Sequence, residues 1–190
     1  MEKKPDRRIK KSKDSIRRAL LELMADKKMS EITISELADA ANITRKTFYQ
    51  HYSIVNDVLD DIEKDIHDRM DVLLSKFNFG HDSFKPYQFF LSANKALEDD
   101  IDFYSTMIET GVYTFFIHEI KNRLKEPIIE MAKSRGYKDN YKLQYAAEYT
   151  SSGIIAVYLH WFESGKKISL KELAEMAEEF IIKGIKNILR

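Results

Sequence analysis

Twelve residues near the N-terminus, 42–53 (NITRKTFYQHYS), combine side chains that suit binding to a polyanion. They include two cations, Arg45 and Lys46, together with three Thr or Ser residues, three aromatic residues and a histidine. An ordinary amphipathic helix hides its aromatic residues on one face and exposes Glu and Lys on the other. Cations, hydroxyls and aromatic groups together in one short segment instead favour contacts with phosphate oxygens.

Charge is divided unevenly along the 190-residue chain, although the net charge is zero. Residues 1–50 contain 13 Lys and Arg against 8 Asp and Glu, a net of +5, which leaves 18 against 23, a net of −5, for the rest. This asymmetry indicates a basic head that could dock on a phosphate backbone, attached to an acidic body. The alternative is a solvated basic tail, because nine of the positive charges precede Ala19.

Composition argues against several classes of protein. The absence of cysteine excludes a disulfide framework, a thiolate nucleophile and a cysteine-ligated zinc site. The longest apolar run, residues 153–162, is about half a membrane span, and the charged N-terminus has no signal-peptide core. The histidines lack metal-ligand spacing, and no nucleophile–base pair indicates an enzyme. We therefore predict a cytoplasmic, non-enzymatic protein with no metal, no cofactor and no membrane partner.

Apolar residues recur at three- and four-residue spacing through almost every segment, which predicts an all-α fold. A first helix is expected over 11–26. A capping box at 33–36 (TISE) should start a second helix, and Asn42 suits the left-handed residue of a tight turn. Thr44 is expected to cap a third helix that ends near Tyr52. Two short helices on a longer one form a helix-turn-helix with its supporting helix.

A long fourth helix is predicted from Val55 to Phe77, because apolar residues hold one face for 23 residues, on the order of 33 Å. We expect it to connect a head of residues 1–54 to a helical body of residues 55–190.

Prolines, glycines and a second capping box divide the body. Pro86 is expected near a helix start, Gly111 between two helices, and Pro127 at a kink or a helix end. A helix over 140–164 is apolar on nearly every side and should be central. A capping box at 169–172 (SLKE) should open the last helix.

Residues 32–62 (ITISELADAANITRKTFYQHYSIVNDVLDDI) resemble the DNA-binding head of TetR-type bacterial transcription regulators. The Thr-x-x-x-Leu-Ala-x-x-Ala core and the TFYQHY signature are both present in register. Residues 153–165 (GIIAVYLHWFESG), followed by a capped helix, resemble the subset related to regulators of dihydroxyacetone kinase. The resemblance implies a homodimeric regulator that binds double-stranded operator DNA and responds to an unidentified small-molecule effector.

The mode of regulation is left open by these resemblances. Repression is the usual mode of the family, whereas the second resemblance leaves room for an activator or for a body that binds a protein partner. A rival interpretation is a helical protein-interaction module whose basic head only solubilises it. A steep salt dependence of duplex binding would separate a regulator from that module.

Residues for DNA recognition lie at the start of the second helix and along the third. If the third helix enters the major groove, its first turn faces base edges. The planar fork of Arg45 matches guanine O6 and N7, and the alternative for Arg45 is phosphate contact alone. The predicted DNA-binding residues are Thr33, Ser35, Thr44, Arg45, Lys46, Thr47, Tyr49 and His51. The resemblance supports phosphate contacts from Thr47, Tyr49 and His51 in particular, and Phe48 and Tyr52 are expected in the core of the head.

One position departs from the family pattern. Family members commonly carry a phosphate-binding lysine where this chain has Val55. Lys46 and the basic residues Lys10, Lys11 and Lys13 are candidates to replace that contact.

Aromatic residues concentrate in the body, with nine of the 22 between Phe84 and His118. Most are expected to be core, and some could line an apolar pocket with a few polar tips. The candidates for effector binding are Tyr104, Met107, Tyr113, Phe116 and Tyr149.

Two glycines inside predicted helices indicate close helix packing. Gly153 and Gly184 each cost about 1 kcal/mol relative to Ala, so a compensating role is expected. Each shares a face with small or apolar side chains, and Tyr149 lies on the Gly153 face. The predicted dimer interface contains Ser152, Gly153, Ala156, Ala177, Phe180, Ile181, Gly184 and Ile188. The alternatives are tight packing within one subunit and, for Gly184, fraying.

Overall fold

A computed structural model describes residues 7–77, 86–98 and 100–186, with side chains over 8–77, 87–98 and 100–180. These residues form nine α-helices, two short 3-10 turns and no strand, so the predicted all-α fold is confirmed. The helices are α1 (Arg7–Asp26), α2 (Ile34–Ala40), α3 (Arg45–Tyr49), α4 (Val55–Leu74), α5 (Pro86–Glu98), α6 (Ile101–Glu109), α7 (Ile117–Ser134), α8 (Tyr141–Glu163) and α9 (Leu170–Lys186).

The chain forms two compact units, and the division falls inside α4. The head unit contains the residues up to Ile66 together with Asp102–Phe115. The body unit contains His67–Ile101 and the residues from Phe116 onward. The predicted boundary between a DNA-binding head of residues 1–54 and a body of residues 55–190 stays a prediction, because the two compact units do not show which residues bind DNA.

The core of the head unit is formed by apolar side chains from its first four helices. These side chains are fully buried, with 0% exposure: Ile16, Leu20 and Leu21 on α1, Leu37 and Ala38 on α2, Phe48 on α3, and Val58 and Ile62 on α4. Their burial places the apolar stripe of α1 against α2 and holds the short helix α3, which has too few residues to be stable alone.

Local hydrogen bonds set the ends of α2 and α3. Thr33 Oγ1 accepts from the amide of Glu36 at 3.2 Å, and Thr44 Oγ1 accepts from the amide of Thr47 at 3.1 Å. Both predicted caps are confirmed, but the Glu36 carboxylate pairs with Lys27 instead of completing the capping box. Asn42 has φ of 54°, which confirms the left-handed turn residue.

Three predicted helix boundaries shift in the structure. α1 begins at Arg7, four residues before its expected start at residue 11. α3 ends at Tyr49, and a turn continues to Tyr52, whose amide bonds to the carbonyl of Phe48 at 3.0 Å. α4 begins at Val55 as predicted but ends at Leu74, three residues short of Phe77.

Prolines and glycines of the later segments meet the predictions in most cases. α5 begins at Pro86, and Gly111 takes φ of 72° immediately after the turn that ends α6. Pro127 lies inside α7, which continues to Ser134, so the helix does not end at Pro127, and the alternative of a kink there stays a prediction. Proline removes one backbone donor, and α7 tolerates that loss because Leu124 and Ile128 anchor it in the body core.

Among the described residues of the body unit, two apolar clusters contribute to the core. The first joins α4, α5, α7 and α8 through Leu73, Phe89, Leu124, Ile128 and Ala147. The second joins α5, α8 and α9 through Phe90, Trp161, Leu173, Ala174 and Ala177. The capping box that opens α9 is confirmed, since Ser169 and Glu172 bond reciprocally.

α8 is less central than its composition predicts. It is buried along one side by residues such as Leu143 and Ala147, but Tyr141, Tyr145 and Tyr149 are 71%, 74% and 64% exposed. These tyrosines recur every four residues and therefore share one face. A tyrosine combines an apolar ring with a polar tip, so hydropathy alone does not distinguish a core face from this exposed one.

Candidate nucleic-acid interface

The first turn of α3 presents polar and cationic side chains to solvent. Thr44, Arg45 and Lys46 are exposed, and Tyr49 further along is 60% exposed. On the opposite side, Phe48 has 0% exposure. α3 is therefore anchored by one buried ring while its outer face remains available for a partner.

The predicted core positions of the TFYQHY segment are confirmed. Phe48 has 0% and Tyr52 6% exposure, and their ring centroids lie 5.8 Å apart. Tyr49 meets the edge of Phe48 at 5.9 Å between centroids but keeps most of its surface in solvent.

Hydroxyl groups link the starts of α2 and α3. Arg45 Nη2 donates to Ser35 Oγ, which joins the first turns of the two helices. Thr44 and Thr47 bond through their hydroxyls at 2.9 Å. Thr33 caps α2 and is itself exposed. The structure thus brings together five of the eight predicted DNA-binding residues in two hydrogen-bonded groups and the adjoining cap.

His51 follows α3 and is half-buried. Burial, together with the nearby charge of Lys13, lowers the pKa of its imidazole below the ordinary value. The imidazole is therefore neutral near pH 7 and keeps one N–H donor.

Lys13 forms an ion pair with Asp61 on α4, and in this it differs from the exposed lysines Lys10 and Lys11. Its ammonium lies 2.8 Å from Asp61 Oδ1 and 5.4 Å from the ring centroid of Tyr52. Tyr52 also donates to Asp61, at 2.9 Å. Lys10 and Lys11 are exposed. Of the three candidate lysines on α1, Lys10 and Lys11 are therefore more available for a phosphate contact than Lys13.

The two donors to Asp61, Lys13 and Tyr52, lower the pKa of its carboxyl group. Burial would raise the pKa of this carboxyl, but the hydrogen bonds from Lys13 and Tyr52 outweigh burial and lower it. The pKa of Tyr52 is raised, mainly by burial and then by its bond to Asp61. The contacts of Asp61 therefore link α1 and α4 beside α3, with Asp61 ionised and Tyr52 neutral near pH 7.

Arg17 is a structural residue that the sequence analysis missed. It is 8% exposed, pairs with Asp65 at 2.9 Å, and lies over the ring of Phe103 with its guanidinium carbon 4.7 Å from the centroid. It therefore joins α1, α4 and α6 within the head unit. The partners lie 48 or more residues away, so no local pattern identifies them.

The effector candidates differ widely in exposure. Tyr104 and Met107 are buried in the head unit, at 4% and 5%, and Tyr113 is half-buried. In the body unit, Phe116 is 2% exposed, whereas Tyr149 is 64% exposed on α8. Their role in effector binding stays a prediction.

A shallow groove runs along α8 and α9 in the body unit. Its volume is about 320 Å³, and it is lined by Tyr149, Thr150, Ser152, Gly153, Ile154, Ala156, Val157, Ala177 and Phe180. Five of the eight predicted dimer residues line it. Of the other three, Ile188 lies outside the described residues, as do the side-chain positions of Ile181 and Gly184.

Gly153 has open space on the side where a side chain would stand. Apart from its chain neighbours and the nearby backbone of α8, no atom of the described residues lies within 4 Å of the position that a Cβ would take. Packing within the described part of this subunit therefore does not require glycine at 153, which weighs against that alternative.

The described residues contain no group of three or more His, Asp or Glu side chains arranged to hold a metal ion. None of the described helices has both the length and the apolar character needed to cross a membrane.

Comparison with known proteins decides the family. A family model described as the C-terminal region of a transcriptional regulator, from the TetR group, matches residues 85–183, just over half of the chain. The chain belongs to the TetR family of transcriptional regulators. The predicted family is confirmed, and it is a family of regulators rather than enzymes.

One curated relative matches a shorter segment of this regulator. It is the HTH-type transcriptional regulator YxbF of Bacillus subtilis (strain 168), 37% identical over 59 residues. The match covers 30% of this chain and 16% of YxbF, so the chain spans only a small part of that relative.

Three solved structures share the fold of the regulator. DhaS, the activator of the dihydroxyacetone kinase operon, has a TM-score of 0.53 at 17% identity over 94% of this chain and 98% of its own. Thermus thermophilus FadR, a repressor in complex with lauroyl-CoA, has a TM-score of 0.51 at 16% identity, over 91% of this chain and 94% of its own. SmeT, the repressor of the Stenotrophomonas maltophilia efflux pump SmeDEF, has a TM-score of 0.56 at 16% identity, over 90% of this chain and 89% of its own.

Proposed function

We propose that this regulator is a cytoplasmic homodimer that binds a near-palindromic operator and represses transcription until a small effector releases it. The observation that carries the proposal is the outer face of α3, where Thr44, Arg45 and Lys46 are exposed while Phe48 is fully buried. A basic tail without a DNA-binding role would not need cations and hydroxyls on a helix anchored in this way.

The contacts divide by chemistry. Arg45 supplies the planar N–H fork that reads guanine in the major groove. Hydroxyls of Thr44 and Thr47, the tip of Tyr49 and the imidazole of His51 bind phosphates and set the register of the protein on the duplex. Lys46, Lys10 and Lys11 add the cationic contacts that the family pattern places at position 55, where Val55 is instead 9% exposed and part of the core. The head of residues 1–54 carries these contacts.

Dimerisation through the body of residues 55–190 places two heads on one operator. Two half-sites one helical turn apart need heads separated by about 34–36 Å, so a monomer binds only one half-site. The groove on α8 and α9 supports this face as the interface, because small residues at 152, 153 and 156 let a partner helix approach closely. Exposed Tyr149 and Phe180 flank those small residues with apolar surface.

The effector is proposed to be apolar or amphipathic. Each predicted effector residue has an apolar or aromatic side chain, and Tyr104, Tyr113 and Tyr149 also carry a hydroxyl group. The lauroyl-CoA held by FadR has this amphipathic character. Such a ligand lowers the operator affinity by the same factor by which it binds the free regulator more tightly than the DNA-bound regulator.

Binding to duplex DNA at graded salt concentrations tests the proposal. A duplex is first selected by the regulator from a random-sequence library, and its affinity is then measured between about 50 and 200 mM salt. Several phosphate contacts predict a fall of about 10³-fold or more over that range. Lys46→Ala is expected to weaken all duplexes alike and to reduce the salt slope by about one. A library that yields no selected sequence would instead support a protein-interaction module.

Activation is the second candidate function, and the fold likeness to the activator DhaS over 98% of that chain favours it. A transcription assay with the selected operator placed either across or upstream of a promoter separates the two. A repressor reduces transcription from the overlapping site, whereas an activator increases transcription from the upstream site.

A further inference from the structure

The hydroxyl of Ser35 lies where it can orient the arginine that we propose reads the operator. Ser35 is the second residue of α2 and Arg45 is the first residue of α3, so each lies in the first turn of its helix. Arg45 Nη2 donates a hydrogen bond to Ser35 Oγ, ten residues away along the chain. Arg45 is exposed and Ser35 is half-buried.

The backbone between the two residues is held by contacts that involve neither side chain. The amide of Ile43 donates to the carbonyl of Ala38 at 2.9 Å, and Asn42 takes the left-handed conformation of the turn. The hydroxyl of Thr44 caps α3. Because these contacts fix the position of α3, loss of the Ser35 hydroxyl is expected to free the guanidinium without moving the helix.

We infer that Ser35 is a positioning residue for Arg45 and thereby sets the base preference of the regulator; this rests on the proposed function of Arg45. A guanidinium has five N–H donors, of which Ser35 takes one on Nη2. The remaining donors include two parallel N–H groups, which is what guanine O6 and N7 require. A long side chain that is already held in place loses less conformational freedom when it binds.

A direct phosphate contact by Ser35 makes different predictions. A phosphate ligand strengthens binding to every sequence alike, and its loss reduces the salt slope. A residue that positions Arg45 instead changes the preference at the base pair that Arg45 reads and leaves the salt slope unchanged. The two roles are therefore separated by measurements on the same set of duplexes.

The experiment uses the full-length regulator and the duplex that it selects, together with duplexes substituted at each base pair in turn. Affinities are measured for the unmodified protein and for Ser35→Ala, Ser35→Thr, Arg45→Ala and the double variant Ser35→Ala/Arg45→Ala. Ser35→Ala is expected to lower the preference about 2- to 10-fold, the effect of one net hydrogen bond, at the same base pair that Arg45→Ala affects. Ser35→Thr keeps the hydroxyl and should keep the preference.

The double variant decides whether Ser35 acts through Arg45. In the Arg45→Ala background, Ser35→Ala is expected to have no further effect on base preference, because the side chain that it orients is absent. Lys46→Ala is the matched control, since it should weaken all duplexes alike. Circular dichroism checks that each variant keeps the helix content of the unmodified protein.

Each remaining outcome overturns a defined part of the reasoning. If Ser35→Ala weakens all duplexes equally and reduces the salt slope, the residue is a phosphate ligand and the positioning role is wrong. If Arg45→Ala lowers the preference at one base pair and Ser35→Ala lowers the preference at none, only the inference about Ser35 fails. If Arg45→Ala changes no base preference, the proposed role of Arg45 fails, and the inference fails with it.

Discussion

Replacing Arg17 by Leu removes a buried guanidinium that joins three helices of the head unit. Arg17 has a side chain 10% exposed and pairs at 2.9 Å with Asp65, whose side chain is 29% exposed. Its guanidinium also lies over the ring of Phe103, 4.7 Å from the centroid. Leucine keeps some of the apolar stem but can make neither polar contact.

The expected loss of stability follows from these exposures. Breaking a fully buried ion pair costs about 3–5 kcal/mol, but Asp65 retains access to water, which lowers the figure to about 1–2 kcal/mol. The cation–π contact adds about 0.5–2 kcal/mol. Arg17 Nε is a buried donor with no hydrogen-bond partner, so removing it stabilises the variant by about 1 kcal/mol. The net expectation is a destabilisation of about 0.5–3 kcal/mol.

Urea unfolding followed by circular dichroism measures this effect, with Lys10→Leu on the exposed side of α1 as the matched control. The variants Asp65→Asn and Arg17→Leu/Asp65→Asn complete a double-mutant cycle, which isolates the energy of the pair. A coupling energy near zero, or a destabilisation of Arg17→Leu no larger than that of the control, would refute the view that Arg17 joins α1, α4 and α6.

Three further perturbations test other contacts. The pKa of Asp61 is lower in the folded state than its unfolded value of about 3.9, so its contribution to stability is present above that value and is lost as pH falls through the folded pKa. Asp61→Asn should therefore be less stable than the unmodified protein at pH 7, and the difference in unfolding free energy should decrease as pH falls from about 3.9 through the folded pKa; a constant difference would contradict this. The pKa of His51 is lowered in the free protein, and a bound phosphate should raise it, so operator affinity should increase as pH falls from about 7.5 to 6. His51→Gln should remove that dependence, and an equal pH slope in both proteins would show that another group titrates. Gly153→Leu should keep its helix content and become monomeric in analytical ultracentrifugation, because its Cβ has open space within the subunit; the exposed α7 variant Asn122→Leu is the control, and a dimeric Gly153→Leu would exclude this interface.

Much of the helical architecture follows from contacts between residues close in sequence. Thr33, Thr44 and Ser169 each cap a helix by accepting from an amide three residues later. Asn42 tolerates the left-handed turn between α2 and α3. Because donor and acceptor lie within one turn, the residue types alone predict these helix starts, and the same local spacing made the head recognisable.

Helix ends and continuations were less predictable where packing competes with local preference. Pro127 disfavours a helix by itself, yet α7 continues through it because Leu124 and Ile128 are held in the body core. Glu36 has the spacing of a capping box, but Lys27 offers it an ion pair and also lowers the pKa of its carboxyl. In both places a contact from elsewhere in the fold outweighs the local rule.

The family, the capped starts of α2, α3 and α9, and the polar composition of the outer face of α3 were predictable from the amino-acid sequence. Which side chains meet on that face depends on how the helices pack. Ser35 and Arg45 are ten residues apart and Lys13 and Asp61 are 48 apart, so each pair depends on where two helices cross. The exposed face of α8 was decided in the same way, since periodicity shows which residues share a face but not whether another helix covers it.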